Sequence, residues 1–329
     1  MATSLKNSLI SVLMPAYNSE KFIYSSIESV FKCHYKNLEL IIIDDGSVDS
    51  TKEIIQQFDR ERYNIKYYFK NNSGIPDTLN LGIQKCTGKW IARIDSDDLC
   101  INNRFEEQIR YAIKNPRLGL VGSNAIFINE SGKFIYQYSY PVNNQKLITN
   151  LLNSKAFFPH SSAFFQKELA ESVGGYRTRI EHAEDLDLWI RMSEKAEIGC
   201  INKTLVKIRT HKDQITIGNI QNQAFSSRIA TVSYWFKVNK KTDPVDSLNF
   251  DEFKLFKSDL IKIFKKTYLD KYIDFTSCIK KPIFKRIILP FYFLKFFSRP
   301  NIIYYFFIHK FFSKYHNFKI AKNYASKFK

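Results

Sequence analysis

Four apolar runs between residues 9 and 94, each separated from the next by a helix-length segment, constrain this chain more than any other feature. Leu9–Met14, Leu38–Ile43, Ile65–Phe69 and Trp90–Ile94 read as short buried strands. Between them, Glu20–Phe31 carries Phe22, Ile23, Ile27, Val30 and Phe31 at helical spacing, and Ile75–Lys85 puts Leu79, Ile83 and the following Cys86 on one helix face. Thr51–Phe58 is a third helix, with Asp49 and Ser50 placed to cap it. Such alternation predicts βαβ units: an α/β fold with a Rossmann-like, mostly parallel central sheet and helices on both faces. Right-handed crossovers line up the carboxyl ends of the strands on one edge. That edge collects Pro15–Asn18, where Pro15 is expected to stop the first strand, then Asp44–Ser47 and Asp95–Asp98. Ligands of open α/β sheets bind in the crevice outside such strand ends.

The last of these segments is the most demanding chemically. Asp95, Asp97 and Asp98 fall within four residues at the end of an apolar strand. Like charges so close call for a cation, and hard oxygen ligands on a short turn suit Mg²⁺ or Mn²⁺ held together with substrate phosphates. The same residues also read as a solvated acidic turn capping the next helix.

After a helix over Arg104–Lys114, halted at Asn115-Pro116, the pattern changes. Leu118–Ile128 and Lys133–Tyr138 read as strands joined by the turn signal Asn129-Glu130-Ser131-Gly132. Asn144–Leu152 is expected to be helical, Phe157–Ser162 a loop, and a strand–helix pair follows up to Gly174-Gly175. Glu184–Met192 opens a helix with acids in its first turn, favourable to the helix dipole, and Leu205–Arg209 reads as a strand ending at His211.

Five scattered cysteines without a C-x-x-C pair argue for a reducing compartment and against a disulfide framework or zinc site. No signal core opens the sequence and no apolar run approaches the ~20 residues that span a bilayer, so a cytoplasmic protein is expected. The net charge of +18 is unevenly placed: +5 over residues 1–239 and +13 over 240–329. Residues 275–329 hold twelve Lys or Arg, seventeen Phe or Tyr and no acid. That composition fits an interfacial segment on an anionic membrane surface; a helical cap on the catalytic domain is the other reading. A nucleic-acid partner is not expected, because the acidic constellation gives it no job.

Taken in order, several segments together resemble an inverting family 2 glycosyltransferase of the GT-A fold. They are Pro15-Ala16-Tyr17-Asn18, Ile42-Ile43-Asp44-Asp45-Gly46-Ser47, Leu79-Asn80-Leu81-Gly82, Asp95-Ser96-Asp97, Glu184-Asp185 before Leu-Trp-Ile-Arg, and Arg209-Thr210-His211. The match covers about Leu9–Thr216, and the subgroup it most resembles contains bacterial enzymes of O-antigen, capsule or lipooligosaccharide synthesis. The resemblance implies a GT-A catalytic domain over residues 1–220, its nucleotide-sugar half about 1–100 and its acceptor half about 101–220, and a basic, aromatic helical extension over 221–329. It implies that Pro15 and Tyr17 border the nucleotide, that Asp45 reads the uracil N3–H of a UDP-sugar, and that Asp95 contacts the ribose or the metal. Asp97 becomes a metal ligand for Mn²⁺ or Mg²⁺, and His211 a third metal ligand or a phosphate contact. Asp185 becomes the general base, with Glu184 and Asp187 as like-charged neighbours raising its pKa. Arg93, His160 and Glu184 are left as acceptor or phosphate contacts. The reaction implied is transfer of a hexose or N-acetylhexosamine to a saccharide acceptor, expected to be lipid-linked, at the inner face of the cytoplasmic membrane. Two rivals remain: a sugar-nucleotide pyrophosphorylase, which calls for a glycine-rich first loop where Pro15-Ala16-Tyr17-Asn18 stands, and a non-catalytic membrane-associated assembly subunit.

Overall fold

The order β1 (Ile10–Ala16), α1 (Ile23–Phe31), β2 (Leu38–Asp44), α2 (Thr51–Gln56), β3 (Ile65–Phe69), α3 (Ile75–Lys85) and β4 (Trp90–Arg93) delivers the expected alternation. The computed structural model describes residues 8–58, 62–154, 157–212, 214 and 220–261. These fall into two compact units, one within residues 1–152 and 156–219, the other within 153–155 and 220–329.

In the first unit β1 to β4 pair in parallel in the order β3-β2-β1-β4. All seven residues of β1 and of β2 are buried, as strands covered on both faces must be, and both are mostly apolar for that reason. One expectation fails here: Pro15 does not stop β1, which continues through it to Ala16 in register with Ile43 and Asp44. The ladder explains the tolerance. Ala16 bonds toward β2, accepting from the Asp45 N–H at 2.8 Å, so the alternate residue Pro15 faces the β4 side. There the pairing ends at Leu13–Arg93, with Ile94 N–H donating to Leu13 C=O at 3.0 Å, so the missing proline donor falls beyond the last pair of that ladder.

The sheet continues through β5 (Leu99–Cys100), β6 (Leu118–Asn129), β7 (Phe134–Tyr138), β8 (Phe164–Gln166) and β9 (Glu197–Thr210) in the order β4-β8-β6-β9-β5, with β7 on β6. β8 runs antiparallel to both β4 and β6, and β9 runs parallel to β6, so the general direction is kept across the sheet. β9 is far longer than Leu205–Arg209. Its exposed, polar Asn202 and Lys203 interrupt the apolar pattern, and a register shift against β6 falls at the same place. Helices α4 (Arg104–Lys114), α5 (Asn144–Leu152), α6 (Lys167–Ser172) and α7 (Glu184–Ser193) follow in this unit, with a 3₁₀ turn at His160–Ser162. One face of the sheet carries the core of Val12, Met14, Leu40, Phe164 and Leu205 together with α1 and α4. On the other, Phe165 meets Trp189 of α7 at 5.4 Å between rings. The four described cysteines are buried free thiols.

The edge opposite the candidate site is closed by Glu39. It is 1% exposed and accepts from Ser11 Oγ (2.6 Å), Lys66 Nζ (2.7 Å), Thr87 N (2.7 Å) and Thr87 Oγ1 (2.8 Å). Burial pushes its pKa up, but these donors outweigh it and bring the carboxyl down from 4.5 to about 2. Glu39→Gln is expected to cost about 2 kcal/mol at neutral pH, the scale of hydrogen bonds to a charged group. A depressed acid stabilises fully above its unfolded pKa and loses that contribution as pH falls through the folded one. The gap between wild type and Glu39→Gln in urea unfolding therefore shrinks between pH 4.5 and about 2. A gap independent of pH in that window refutes the assignment.

The second unit is helical where described: α8 (Ile220–Val238), α9 (Pro244–Ser247), started by Asp243 accepting from Val245 N at 2.9 Å, and a helix over 250–261. No helix among the described residues is long and apolar enough to cross a membrane. The basic, aromatic stretch 275–329 lies outside the described residues.

Candidate active site

The carboxyl ends of β1, β2 and β4 meet on one edge, as parallel pairing requires. Of the two acids at the end of β2, Asp44 is buried and closes its own turn, accepting from Ser47 N (2.8 Å) and Tyr67 Oη (2.8 Å). Gly46, directly after them, adopts φ +83°, and a side chain there would press within 2.9 Å of Asn72 N. Asp45, also buried, holds the loop after β3: Oδ1 accepts from Ser73 N (2.9 Å), Oδ2 from Gly74 N (3.0 Å), and Lys70 forms an ion pair with it. Oδ2 keeps a lone pair for one further donor. Tyr17, half exposed beyond buried Pro15 and Ala16, stands at the same edge. Lys70 gave no signal in the sequence, where it is one lysine among many.

Past β4, one ligand atom from each of Asp95, Asp97 and Asp98 lies within 4.8 Å of the others. Their surroundings separate them. Asp98 is 2% exposed, with Oδ1 accepting from Arg209 N (2.8 Å) and Oδ2 in contact with Ser161 Oγ; burial first, then Asp97 and Asp95, push its pKa well up. Ser161 Oγ is also 2.8 Å from Asp95 Oδ2 and accepts from Asp95 N (3.0 Å) and Arg93 Nη1 (3.1 Å), so its one proton serves one carboxylate at a time. Arg93, buried, forms an ion pair with Asp95. Asp97 and Asp95 keep partly exposed carboxylates. His211 comes to them from the end of β9, its Nε2 2.9 Å from Asp97 Oδ2. Phe22 packs on the His211 ring at 4.9 Å and under the Arg209 guanidinium at 4.6 Å. Arg209 Nε donates to the Asp97 carbonyl (2.9 Å) and Nη1 to the Glu130 carbonyl (2.9 Å). The neighbouring, accessible carboxylates of Asp95 and Asp97, with the His211 imidazole against Asp97, fit a divalent cation with hard-oxygen preference, while Asp98 is occupied in bracing them.

The second cluster stands at the start of α7. Its helix forms because Leu186, Leu188, Trp189, Ile190 and Met192 are buried, while its first-turn acids favour the amino end. Asp185 Oδ1 accepts from the Leu186 N–H at 2.7 Å. Burial raises the Asp185 pKa against the pull of that bond and of Arg93. Burial, then Asp185, push Glu184 up to about 8. His160 lies behind them, Nε2 2.8 Å from Tyr176 Oη and Nδ1 3.9 Å from Glu184 Oε1, its ring edge against Trp189. Burial and Arg93 hold its pKa well below 6.5, so it is a neutral imidazole at physiological pH.

Asp187 does not do what was expected of it. It exerts no like-charge pressure on Asp185: its carboxylate is buried and clamped by two arginines. Arg177 donates through Nε (3.1 Å to Oδ2) and Nη2, and Arg191 through Nε (3.0 Å) and Nη2 (2.7 Å). Arg191 also donates to the carbonyls of Val173 and Gly175 (2.7 Å), so the clamp fastens the segment before α7 to the helix that carries Asp185.

The description "Glycosyl transferase family 2" matches residues 11–174. The O-antigen biosynthesis glycosyltransferase WbnJ of Escherichia coli is 33% identical over 186 residues, which cover 56% of this chain and 71% of WbnJ. The chain belongs to glycosyltransferase family 2. Among solved structures, S. aureus TarS in complex with UDP-GlcNAc gives a TM-score of 0.56 at 18% identity over 69% of this chain and 66% of that one. The mannosyltransferase PcManGT of Pyrobaculum calidifontis, in complex with GDP-Man and Mn²⁺, gives 0.56 at 14% over 90% and 82%. The fold of this family 2 chain is accordingly GT-A. The chain spans 31% of the length of a Rickettsia bellii glycosyltransferase that it matches and 46% of one from Rickettsia felis. Because the family match ends at Gly174, Asp185 and His211 join the site through geometry alone.

Proposed function

We propose that this family 2 glycosyltransferase moves a hexose or N-acetylhexosamine from a UDP-sugar to a saccharide acceptor, with inversion, in bacterial surface-polysaccharide synthesis. The observation that carries the reading is the pairing of two carboxylate clusters with different surroundings. Asp95 and Asp97, partly exposed beside His211, suit a diphosphate with its cation; Asp185 is buried, with a raised pKa, and suits a base. The solved relatives bound to UDP-GlcNAc and to GDP-Man with Mn²⁺, and the O-antigen role in the name of WbnJ, support the donor class and the pathway class.

Asp45 accepts the uracil N3–H with its free lone pair on Oδ2, and Tyr17 lies against the base. Asp95, Asp97 and His211 would hold Mn²⁺ or Mg²⁺, which supplies Lewis-acid stabilisation of the leaving diphosphate. Asp185 takes the proton of the acceptor hydroxyl as that oxygen bonds to the anomeric carbon from the face opposite the diphosphate. The bond from the anomeric carbon to the phosphate oxygen breaks, UDP leaves with the electron pair, and an α-linked donor yields a β-linked product. Arg93, between the two clusters electrostatically, steadies both Asp95 and the Glu184/Asp185 pair. Anchoring of the acceptor to lipid, and association with anionic membrane through residues 275–329, complete the proposal.

The test is UDP release from a panel of UDP-sugars with Mn²⁺ or Mg²⁺, with and without acceptor. Chelation is expected to cut turnover at least about a hundredfold, the scale of several kcal/mol from a Lewis acid, with recovery on adding metal back and none in Asp97→Asn. Turnover indifferent to chelator removes the metal role. An α-linked product by NMR coupling constant removes inversion.

A further inference from the structure

The 3₁₀ turn His160–Ser162 lends one side chain to each cluster. His160 reaches Tyr176 and Glu184, and Ser161, the next residue, reaches the acids after β4. The turn is bolted down on every side. Ser162 N donates to the Pro159 carbonyl (2.8 Å) and Ala163 N to that of His160 (2.9 Å). From α4, Gln108 Nε2 donates to the Ser162 carbonyl (2.7 Å). From β6, Ser123 N donates to Ser162 Oγ (3.2 Å), and from β4, Arg93 N donates to the Ala163 carbonyl (2.9 Å). Ser161 and Ser162 are buried, so the place of the Ser161 hydroxyl is set by the scaffold before any ligand arrives.

Four polar atoms crowd that hydroxyl. Asp95 N (3.0 Å) and Arg93 Nη1 (3.1 Å) donate to it and take both lone pairs. Its one proton is shared by Oδ2 of Asp95 (2.8 Å) and Oδ2 of Asp98. A shared proton is what two neighbouring carboxylates need, since ionised oxygens brought to one spot repel. Arg93 Nη1 also pairs with the same Oδ2 of Asp95. Arg93 and Ser161 therefore meet on one oxygen of Asp95, and its Oδ1 has no hydrogen bond among the described residues. Asp97 stands outside this set, its Oδ2 going to His211.

We propose that Ser161 is a positioning residue for the divalent cation: its hydroxyl holds the Asp95 carboxylate so that Oδ1 is the oxygen offered, and keeps Asp98 out of ligation. This rests on the reading of Asp95 and Asp97 as ligands for Mn²⁺ or Mg²⁺. A carboxylate that is free to turn loses its rotamer freedom on binding a cation, and one already held from behind does not. A small side chain alone cannot do this. With alanine at 161 the proton between the two acids is gone, and Asp95 N and Arg93 Nη1 lose the acceptor they share.

The experiment titrates Mn²⁺ into the full chain, with and without UDP, and reads free Mn²⁺ by electron paramagnetic resonance. Thermal unfolding without metal reports the fold. Ser161→Ala is expected to weaken Mn²⁺ binding by about ten- to a hundredfold, the range for groups that orient a metal ligand. Ser161→Cys keeps the shape but offers only a weak donor; it is expected to weaken binding too, and carries the test if the alanine variant does not fold. Ser162→Ala keeps wild-type affinity, because that hydroxyl bonds Pro159 and Ser123 instead. Equal loss in Ser162→Ala overturns the proposal, since the turn rather than the Ser161 hydroxyl would then be responsible. Mn²⁺ bound as tightly by the folded 161 variants as by wild type removes the proposal alone. Wild type that binds no Mn²⁺, with or without UDP, removes the metal reading and the proposal together.

Discussion

Asp185→Asn is expected to cut glycosyl transfer by about three orders of magnitude, within the range that a positioned general base contributes, while UDP-sugar binding persists. The amide has the carboxylate's shape and cannot take the acceptor's proton. Burial is the chief cause of the raised Asp185 pKa, so the acid limb of kcat/KM against pH lies above 3.8, the ordinary value for aspartate. Activity rises with pH through that limb, because only the ionised form is a base. Glu184, held near 8, is mostly protonated at pH 7 and adds no second anion there. In Glu184→Gln the limb therefore stays raised; its collapse to the ordinary aspartate range would assign the shift to Glu184 instead. Because the two acids are neighbours, any second limb near pH 8 belongs to the pair. Stability should move the opposite way to activity. An acid whose folded pKa is raised destabilises the fold wherever it is ionised, so Asp185→Asn raises Tm at neutral pH.

How much of this was legible before any coordinates depends on whether the signal lies along the chain or across it. β1 to β4 and the helices between them were readable because each buries a contiguous apolar pattern, and strands covered on both faces leave little ambiguity. Asp95 and Asp97 were readable because three acids at a strand end need an explanation. The bracing around them was not. Ser161 touches Asp95 and Asp98 from 66 and 63 residues away, and Arg209 reaches Asp97 and Glu130 across 112 and 79. No local period marks such residues; they look like any serine or arginine in a loop or strand. The extent of β9 was hidden for a different reason, since Asn202 and Lys203 sit at a register shift and break the pattern used to find strands. Pro15 misled because proline is disallowed only where its missing donor faces a paired neighbour, and which side that is cannot be read along the chain.

Asp187 shows how far two acids in one helical turn can differ. Asp187→Ala is expected to cost about 3–5 kcal/mol, the penalty for leaving buried charge without its partner, and here two guanidinium groups are left, each with a side chain about one-tenth exposed. Arg177 and Arg191 lose four hydrogen bonds to the carboxylate, and the segment Val173–Arg177 loses its fastening to α7. Urea unfolding followed by circular dichroism reads this as a lower midpoint at unchanged slope. UDP release per folded molecule should change little, because the Asp187 carboxylate is taken up by Arg177 and Arg191, whereas Asp185→Asn does the reverse on both measurements. Asp187→Asn separates shape from charge: it keeps the acceptor oxygen but not the charge, and should fall between wild type and alanine. A variant at 187 that unfolds like wild type but loses transfer would place Asp187 in the chemistry and return the base assignment to the whole acidic turn. Stability lost at 187 and activity lost at 185 instead divide the turn into a clamp and a base held by it.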